Sequence, residues 1–204
     1  MSEKREWFFK NFANIITIAG LLFVAWILII AISFPEKLWL ILFLSLLTGL
    51  TDFVDGIIAK NLDIKSYLGS ALDRLRDKIF ICSLLVILTR WYWLSVQNFF
   101  VLKTLILSLV ALVIFIEICL LLFWLIGIFK NLNISSNPGG QTKMFLQFIA
   151  VIIWLCSLAG EKYFAIPVMK FSIYLIFLLL ILVIYFGIKS LEGHYQVFKK
   201  AQKN

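Results

Sequence analysis

Six long apolar segments follow one another along this chain, and they constrain its fold more than any other feature. The segments lie near residues 14–33, 38–56, 80–92, 99–129, 144–158 and 164–188. A membrane-spanning helix needs about 20 mainly apolar residues. The third segment reaches this length only if a polar helix that carries Asp73 and Asp77 leads into it. We therefore predict an all-α, polytopic membrane protein with six transmembrane helices.

The composition excludes the soluble classes of protein. Hydrophobic residues make up 63% of the 204 residues and charged residues only 15%, whereas soluble domains contain about 45–50% apolar and about 25% charged residues. A soluble globule with this composition would expose large apolar patches. The three cysteines lie in apolar segments without CxxC spacing, which favours small buried side chains over disulfides or a zinc site.

Lysine and arginine residues are distributed unevenly between the two sides that six spans define. Fourteen belong to the side that holds both termini, and five belong to the other side. Because positively charged residues favour the cytoplasmic side, we predict that both termini and the segment between helices two and three are cytoplasmic, in a plasma or inner membrane. The net charge of +8 then reflects orientation and anionic membrane lipids, and not nucleic acid as a partner.

The two ends of the chain differ in character from the apolar segments. Residues 1–13 combine aromatic and basic side chains in a pattern typical of a short amphipathic helix at the membrane interface. Residues 14–190 would then form the six-helix domain, and residues 191–204 a basic cytoplasmic tail.

The aspartates of this chain are confined to one short stretch. All five lie between residues 52 and 77, and four have helical spacing. Asp52 and Asp55 are three residues apart, and Asp73 and Asp77 are four apart, so each pair projects from one face of a helix. Small residues accompany both pairs: Gly56, Ala59 and Gly69. Two antiparallel helix ends would therefore direct four carboxylates into one space. The small side chains beside them would leave room for a ligand to approach.

Four clustered carboxylates at a membrane need a counter-charge. Each is unfavourable by about 2.5–3.5 kcal/mol at the centre of a bilayer, and together they repel one another. A divalent cation removes both penalties, and an all-oxygen ligand set favours Mg²⁺, Mn²⁺ or Ca²⁺ over zinc. The alternative is that these acids are ordinary helix-end residues paired with neighbouring basic side chains: Lys60, Arg74, Arg76 and Lys78.

Residues 52–77 resemble the signature of the CDP-alcohol phosphatidyltransferase family. They read D-F-V-D-G-I-I-A-K, eight residues, then G-S-A-L-D-R-L-R-D, against the family pattern D-x-x-D-G-x-x-A-R, eight residues, G-x-x-x-D-x-x-x-D. Seven of the eight fixed positions match with the spacing intact. The departure is Lys60, which stands where the family has arginine. Its ammonium group keeps the positive charge but lacks the planar guanidinium group, which can form two parallel hydrogen bonds.

The resemblance implies an enzyme that transfers a phosphatidyl group from CDP-diacylglycerol to the hydroxyl of a small polar alcohol and releases CMP. It implies that Asp52, Asp55, Asp73 and Asp77 hold Mg²⁺ or Mn²⁺, with two ions per site, and that Asp77 is the general base. The residues that it assigns to CDP binding are Gly56, Ala59, Lys60, Gly69 and Asp73. The family also implies a homodimer among membrane lipids.

The acceptor alcohol is less constrained by the sequence than the nucleotide. Thr51 and Lys78 resemble the bacterial phosphatidylglycerophosphate synthase branch, as does a partial match around Lys143. This resemblance implies glycerol 3-phosphate as the acceptor, with Lys143 and Glu117 as candidate acceptor-binding residues. Inositol phosphate, serine and phosphatidylglycerol remain alternative acceptors, because Gly20, Ile116 and Trp124 stand where that branch carries arginines. Lys143 can equally be an orienting charge, and Glu117 can pair with a polar group across the bundle.

Two other kinds of protein compete with this interpretation. A divalent-cation transporter would use the aspartates as a relay, but such a relay favours acids spread through the depth of the membrane, and these cluster at one end. A structural membrane protein would carry a decayed motif, but all four aspartates are retained. Cytidine-dependent binding of Mg²⁺ or Mn²⁺ separates the transferase from both.

Overall fold

The structure is a computed structural model, and the residues that it describes form six helices. It describes the backbone of residues 3–62, 67–95, 100–130 and 137–201, and the side chains of residues 18–51, 72–95, 100–130 and 137–200. The helices are α1 (Glu3–Ser33), α2 (Leu38–Leu62), α3 (Tyr67–Ser95), α4 (Phe100–Phe129), α5 (Pro138–Phe164) and α6 (Met169–Ala201). The predicted all-α fold with six helices is confirmed.

Four of the helices are long and apolar enough to cross a membrane within the described residues. These stretches are Leu72–Ser95, Phe100–Phe129, Pro138–Phe164 and Met169–Lys200. Two shorter apolar stretches precede them, Ile18–Ser33 in α1 and Leu38–Thr51 in α2. The structure therefore supports a membrane protein with four candidate spans, and it does not confirm the six crossings that the sequence predicts.

Helix α1 includes most of the segment 1–13 that we expected as a separate interfacial helix. The helix runs without interruption from Glu3 to Ser33, so residues 3–13 form the beginning of a longer helix. The side chains of these residues lie outside the described part. A continuous helix results because no proline or glycine interrupts the chain before Gly20. Its position at the membrane surface stays a prediction.

The chain divides into two compact units, and the first comprises Met1–Ile87. Helix α1 packs against α2 through buried residues at helical spacing, such as Val24, Ile27 and Ala31 in α1 and Ile41 and Leu44 in α2. The two helices are joined by a tight turn that begins directly before Pro35, where the amide of Lys37 donates to the carbonyl of Phe34 at 3.0 Å. Proline cannot continue the i to i−4 pattern, which explains why α1 ends there.

The second unit comprises Leu88–Asn204 and is built around α6, which packs against both α4 and α5. Its core contains Ile106, Val110, Trp154, Leu155, Ile176 and Leu180. The ring of Trp154 meets that of Tyr92, at the end of α3, edge to face at 6.2 Å. Large apolar residues such as Phe115 and Phe171 are exposed on the outer faces, as a helical bundle surrounded by lipid requires.

The start of α5 is defined by a capping residue and a proline. Asn137 has extended backbone angles, and its side-chain oxygen accepts from the amide of Gly140 at 2.8 Å. Pro138 follows at the first helical turn, where its missing amide hydrogen is not needed. The sequence Asn-Pro-Gly-Gly therefore forms the cap and the first turn of α5.

Candidate active site

The polar first half of α3 carries two of the predicted site residues. Asp73 and Asp77 lie one helical turn apart on the same helix, as their spacing predicts. The side chain of Asp73 is 53% exposed and that of Asp77 is 31% exposed. This polar segment continues without a break into the apolar stretch that ends at Ser95. The two carboxylates thus lie in the first turns of the candidate span of α3, Leu72–Ser95.

Arg76 draws the two carboxylates together. Its Nη2 atom lies 2.6 Å from Oδ1 of Asp73 and 3.1 Å from Oδ1 of Asp77. Its Nε atom also donates to Oδ1 of Asp77, at 3.4 Å. One nitrogen of a cation therefore contacts an oxygen of both acids, so the two carboxylates converge on a common point. Charge-assisted contacts of this kind are stronger and more directional than neutral hydrogen bonds.

The remaining members of the predicted site lie outside the described side chains. Asp52, Asp55, Gly56, Ala59 and Lys60 belong to the last part of α2, and Gly69 belongs to the first turn of α3. These ends of the two helices both belong to the first unit. Because only residues 63–66 separate Leu62 from Tyr67, the chain itself limits the distance between these two helix ends to at most about 18 Å. Whether the four aspartates meet stays a prediction.

Two of the described residues have side chains that are suited to bind a divalent cation. Asp73 and Asp77 offer oxygen donors, which are the ligands that Mg²⁺ and Mn²⁺ prefer. A positive charge is already accommodated between the two carboxylates, since Nη2 of Arg76 occupies that position. Among the described residues no group of three or more His, Cys, Asp or Glu side chains forms a metal site. The pair therefore suits part of a metal site, whose other ligands would come from the undescribed side chains.

A second polar cluster lies in the other unit and joins α4 to α5. Lys143 and Glu117 form an ion pair, and Gln147 donates from Nε2 to Oε1 of Glu117 at 2.9 Å. All three residues are buried, with exposed fractions of 3%, 4% and 0% for Lys143, Glu117 and Gln147. The structure thus brings the two predicted acceptor-binding residues into contact with each other. Buried charges of this kind are rare and usually functional in membrane proteins.

The buried cluster has two features that the sequence does not predict. The side-chain oxygen of Gln147 is buried without a hydrogen-bond partner in the described part of the chain. Gly187 of α6 allows the close approach of α4, because a methyl group at this position would lie 2.8 Å from Cγ2 of Ile116 and 3.6 Å from Cδ of Lys143. Spacing alone could have suggested Gln147, which lies one turn after Lys143, but not Gly187.

A comparison with protein families agrees with the resemblance that the sequence shows. The family model for CDP-alcohol phosphatidyltransferase matches residues 10–188. The chain belongs to this family. The match includes α2 to α5 completely, so it contains both polar clusters. No curated protein sequence matched the chain.

Membership of the CDP-alcohol phosphatidyltransferase family establishes the class of reaction. The protein is a transferase of substituted phosphate groups that acts in phospholipid synthesis, with CDP-alcohol substrates in a lipid environment. Enzymes of this family generally depend on a divalent metal. The four candidate spans agree with a membrane enzyme. The sequence-based prediction of the family and of the enzyme class is thereby confirmed.

Proposed function

We propose that this protein transfers the phosphatidyl group of CDP-diacylglycerol to glycerol 3-phosphate, the reaction of a phosphatidylglycerophosphate synthase. The main support for the site is the convergence of Asp73 and Asp77 on one cationic atom, at the spacing of the family signature. The support for the acceptor is weaker in kind, since it comes from the resemblance of residues near Asp77 and Lys143 to that branch. The alternative acceptors are inositol phosphate, serine and phosphatidylglycerol.

Asp73 and Asp77, together with Asp52 and Asp55, would hold two Mg²⁺ or Mn²⁺ ions. When bound, such ions neutralise the charge that develops on the diphosphate of the donor and orient the attacked phosphorus. The small residues Gly56, Ala59 and Gly69 would admit the cytidine and the diphosphate, because they lack larger side chains. Lys60 would contact a phosphate oxygen as a point charge.

The reaction requires one bond to form and one to break at the phosphorus that carries diacylglycerol. The hydroxyl oxygen of the acceptor bonds to this phosphorus, and the bond to the bridging diphosphate oxygen breaks, so that CMP leaves with that oxygen. The hydroxyl proton passes to Asp77, which acts as general base. Arg76 engages Oδ1 of Asp77, and we therefore assign the proton to Oδ2. A base must approach to within about 3 Å of the proton that it removes.

Lys143 and Glu117 would form the acceptor subsite. The Lys143 ammonium group provides a positive charge for the acceptor phosphate, and Glu117 holds that ammonium group in place through their ion pair. The carbonyl oxygen of Gln147, which has no hydrogen-bond partner among the described residues, is suited to accept from a hydroxyl group. An acceptor with both a phosphate and hydroxyl groups, such as glycerol 3-phosphate, matches these groups.

The proposal includes the surroundings of the enzyme. We propose a homodimer in the plasma or inner membrane, with both termini and the site at the cytoplasmic side. The family resemblance supports the dimer, and the distribution of lysine and arginine supports the orientation. The lipid tails of the donor would remain in the bilayer, while CMP and the acceptor exchange with the cytosol.

The proposed reaction can be tested by measuring CMP release from CDP-diacylglycerol in lipid vesicles. We expect release only when Mg²⁺ or Mn²⁺ and an acceptor are both present, with glycerol 3-phosphate more active than inositol phosphate, serine or phosphatidylglycerol. Asp77→Asn should lower the rate by about 10²–10⁴-fold, the usual contribution of a general base. The control is Glu161→Gln, an exposed residue of α5, which should keep the rate.

Each part of the proposal has its own contrary result. Substantial turnover by a folded Asp77→Asn variant would exclude Asp77 as the base. A preference for another acceptor would replace glycerol 3-phosphate and leave the transferase intact. Gly56→Val should weaken CDP binding far more than metal binding, and normal CDP binding by this variant would refute the nucleotide groove.

A further inference from the structure

Arg76 is a buried cation on α3, whereas its neighbours on both sides, residues 72–75 and 77–79, are partly or fully exposed. The residue is 6% exposed, although both of its acidic partners are more exposed than it is. A surface arginine that merely pairs with helix neighbours keeps its guanidinium group in water. The burial of Arg76 therefore indicates that its charge has a fixed position.

Gly20 of α1 provides the surface on which the guanidinium group lies. A methyl group at Gly20 would be 2.7 Å from Nη1 and 3.3 Å from Cδ of Arg76. The end of an arginine side chain usually moves aside easily, but this one is anchored on its other edge by Asp73 and Asp77. The guanidinium group is thus enclosed between the backbone of one helix and two carboxylates of another.

We propose that Arg76 is a positioning residue that competes with the divalent metal for Asp73 and Asp77. This inference rests on the proposed function, because it concerns the metal site of the same reaction. Without metal, the arginine holds the two carboxylates together and offsets part of their repulsion. It thereby sets the concentration of divalent cation at which the site fills.

The competition follows from the atoms that the arginine engages. Nη2 contacts Oδ1 of both carboxylates, so a metal that takes these oxygens must lengthen both contacts. The backbone at Gly20 limits the space into which the guanidinium group can withdraw. The arginine therefore remains close to the bound cation, and like charges at short distance repel.

The opposing effect, in which Arg76 orients the carboxylates for the metal, is expected to be smaller. The two acids are one helical turn apart on a continuous helix, which already places them on one face. A neighbouring charge changes the proton affinity of a carboxylate by one to three pKa units, or about tenfold to a thousandfold. Because Asp73 is half exposed, we expect the low end of this range for the metal.

The test is a titration of the full-length protein in lipid nanodiscs with Mn²⁺, followed by electron paramagnetic resonance without donor or acceptor. Arg76→Gln should bind Mn²⁺ about tenfold more tightly than the wild type, a change of about 1.4 kcal/mol. Arg76→Lys keeps the charge and should stay within about twofold of the wild type. The Mg²⁺ concentration for half-maximal CMP release should shift in the same direction as the Mn²⁺ affinity.

Two outcomes separate this inference from the proposed function. If the wild type binds Mn²⁺ and releases CMP, but Arg76→Gln binds Mn²⁺ no more tightly, then competition by Arg76 is refuted. If the wild type neither binds Mn²⁺ nor releases CMP, the proposed function fails first.

A second measurement uses only the wild type, so its result does not depend on whether a variant folds. In the wild type, the Nε–H resonance of Arg76 should shift as Mg²⁺ is added, with the same half-saturation as metal binding. A resonance that stays in place while metal binds would refute the competition.

Discussion

Removing one partner of the buried Glu117–Lys143 pair should destabilise the second unit strongly. The ion pair joins α4 to α5, and both residues are at most 4% exposed. Glu117→Leu leaves the Lys143 ammonium group in the bundle without its carboxylate, and Lys143→Met leaves the carboxylate without its ammonium group. Each single change removes one charge of a pair whose two members are both buried away from water.

The size of the effect follows from this burial. Removing one partner of a buried pair costs about 3–5 kcal/mol, whereas replacing both partners by apolar residues is often neutral. Polar contacts within membrane bundles are individually weaker, about 0.6 kcal/mol on average. We therefore expect each single variant to lose about 3 kcal/mol, and the double variant Glu117→Leu/Lys143→Met to lose about 1 kcal/mol or less. The coupling between the two sites, which is the difference between the two single losses together and the loss of the double variant, should then be about 5 kcal/mol.

The assay is reversible unfolding in mixed micelles, with increasing dodecyl sulfate and the loss of helical circular dichroism as the signal. Lys170→Met is a matched control, because Lys170 is exposed at the start of α6 and should change the free energy of unfolding by less than about 0.5 kcal/mol. If the losses of the two single variants simply add in the double variant, the pair is not an electrostatic unit and the reasoning is wrong.

Three further substitutions test the contacts around this cluster by the same unfolding assay. Gln147→Leu should change the free energy of unfolding by less than about 1 kcal/mol. The variant loses the hydrogen bond to Glu117, but it also removes a buried side-chain oxygen that has no hydrogen-bond partner among the described residues. A loss above about 3 kcal/mol would show that this oxygen has a partner. Asn137→Ala should cost about 1–2 kcal/mol through the lost cap of α5 and the lost bond to the Ser190 carbonyl at 2.9 Å, and an unchanged stability would contradict the cap. Gly187→Val should cost about 1–3 kcal/mol through overpacking, whereas a stabilised variant would mean that α4 and α6 are further apart.

The sequence predicts the class of fold and the location of the acids because these depend on local patterns. Apolar run lengths predict six helices, and six are present in the described part of the chain. The spacing of Asp73 and Asp77 predicts that they share one face of a helix, and both contact the same nitrogen of Arg76. The need for a polar segment ahead of the third apolar run is met by α3, which begins at Tyr67.

Contacts between helices could not be predicted, because they depend on packing that a single sequence does not contain. Arg76 is one of five basic residues between positions 60 and 78, and nothing in its spacing distinguishes it from Arg74. Its burial against Gly20 arises from the approach of α1 to α3. Likewise, Lys143 and Glu117 are 26 positions apart in the sequence, so their pairing was one of several open alternatives. The continuity of α1 from Glu3 to Ser33 could not be predicted either, since an amphipathic pattern does not show where a helix ends.

The most direct test of the central claim is the binding of Mn²⁺ to the wild type and to Asp73→Asn, measured by electron paramagnetic resonance with and without CDP. The account predicts that the wild type binds Mn²⁺, that CDP strengthens this binding, and that Asp73→Asn weakens it by about tenfold or more, as expected when one anionic ligand is lost. Equal binding of Mn²⁺ by a folded Asp73→Asn variant, or binding that ignores CDP, would contradict the assignment of this carboxylate pair to the transferase site.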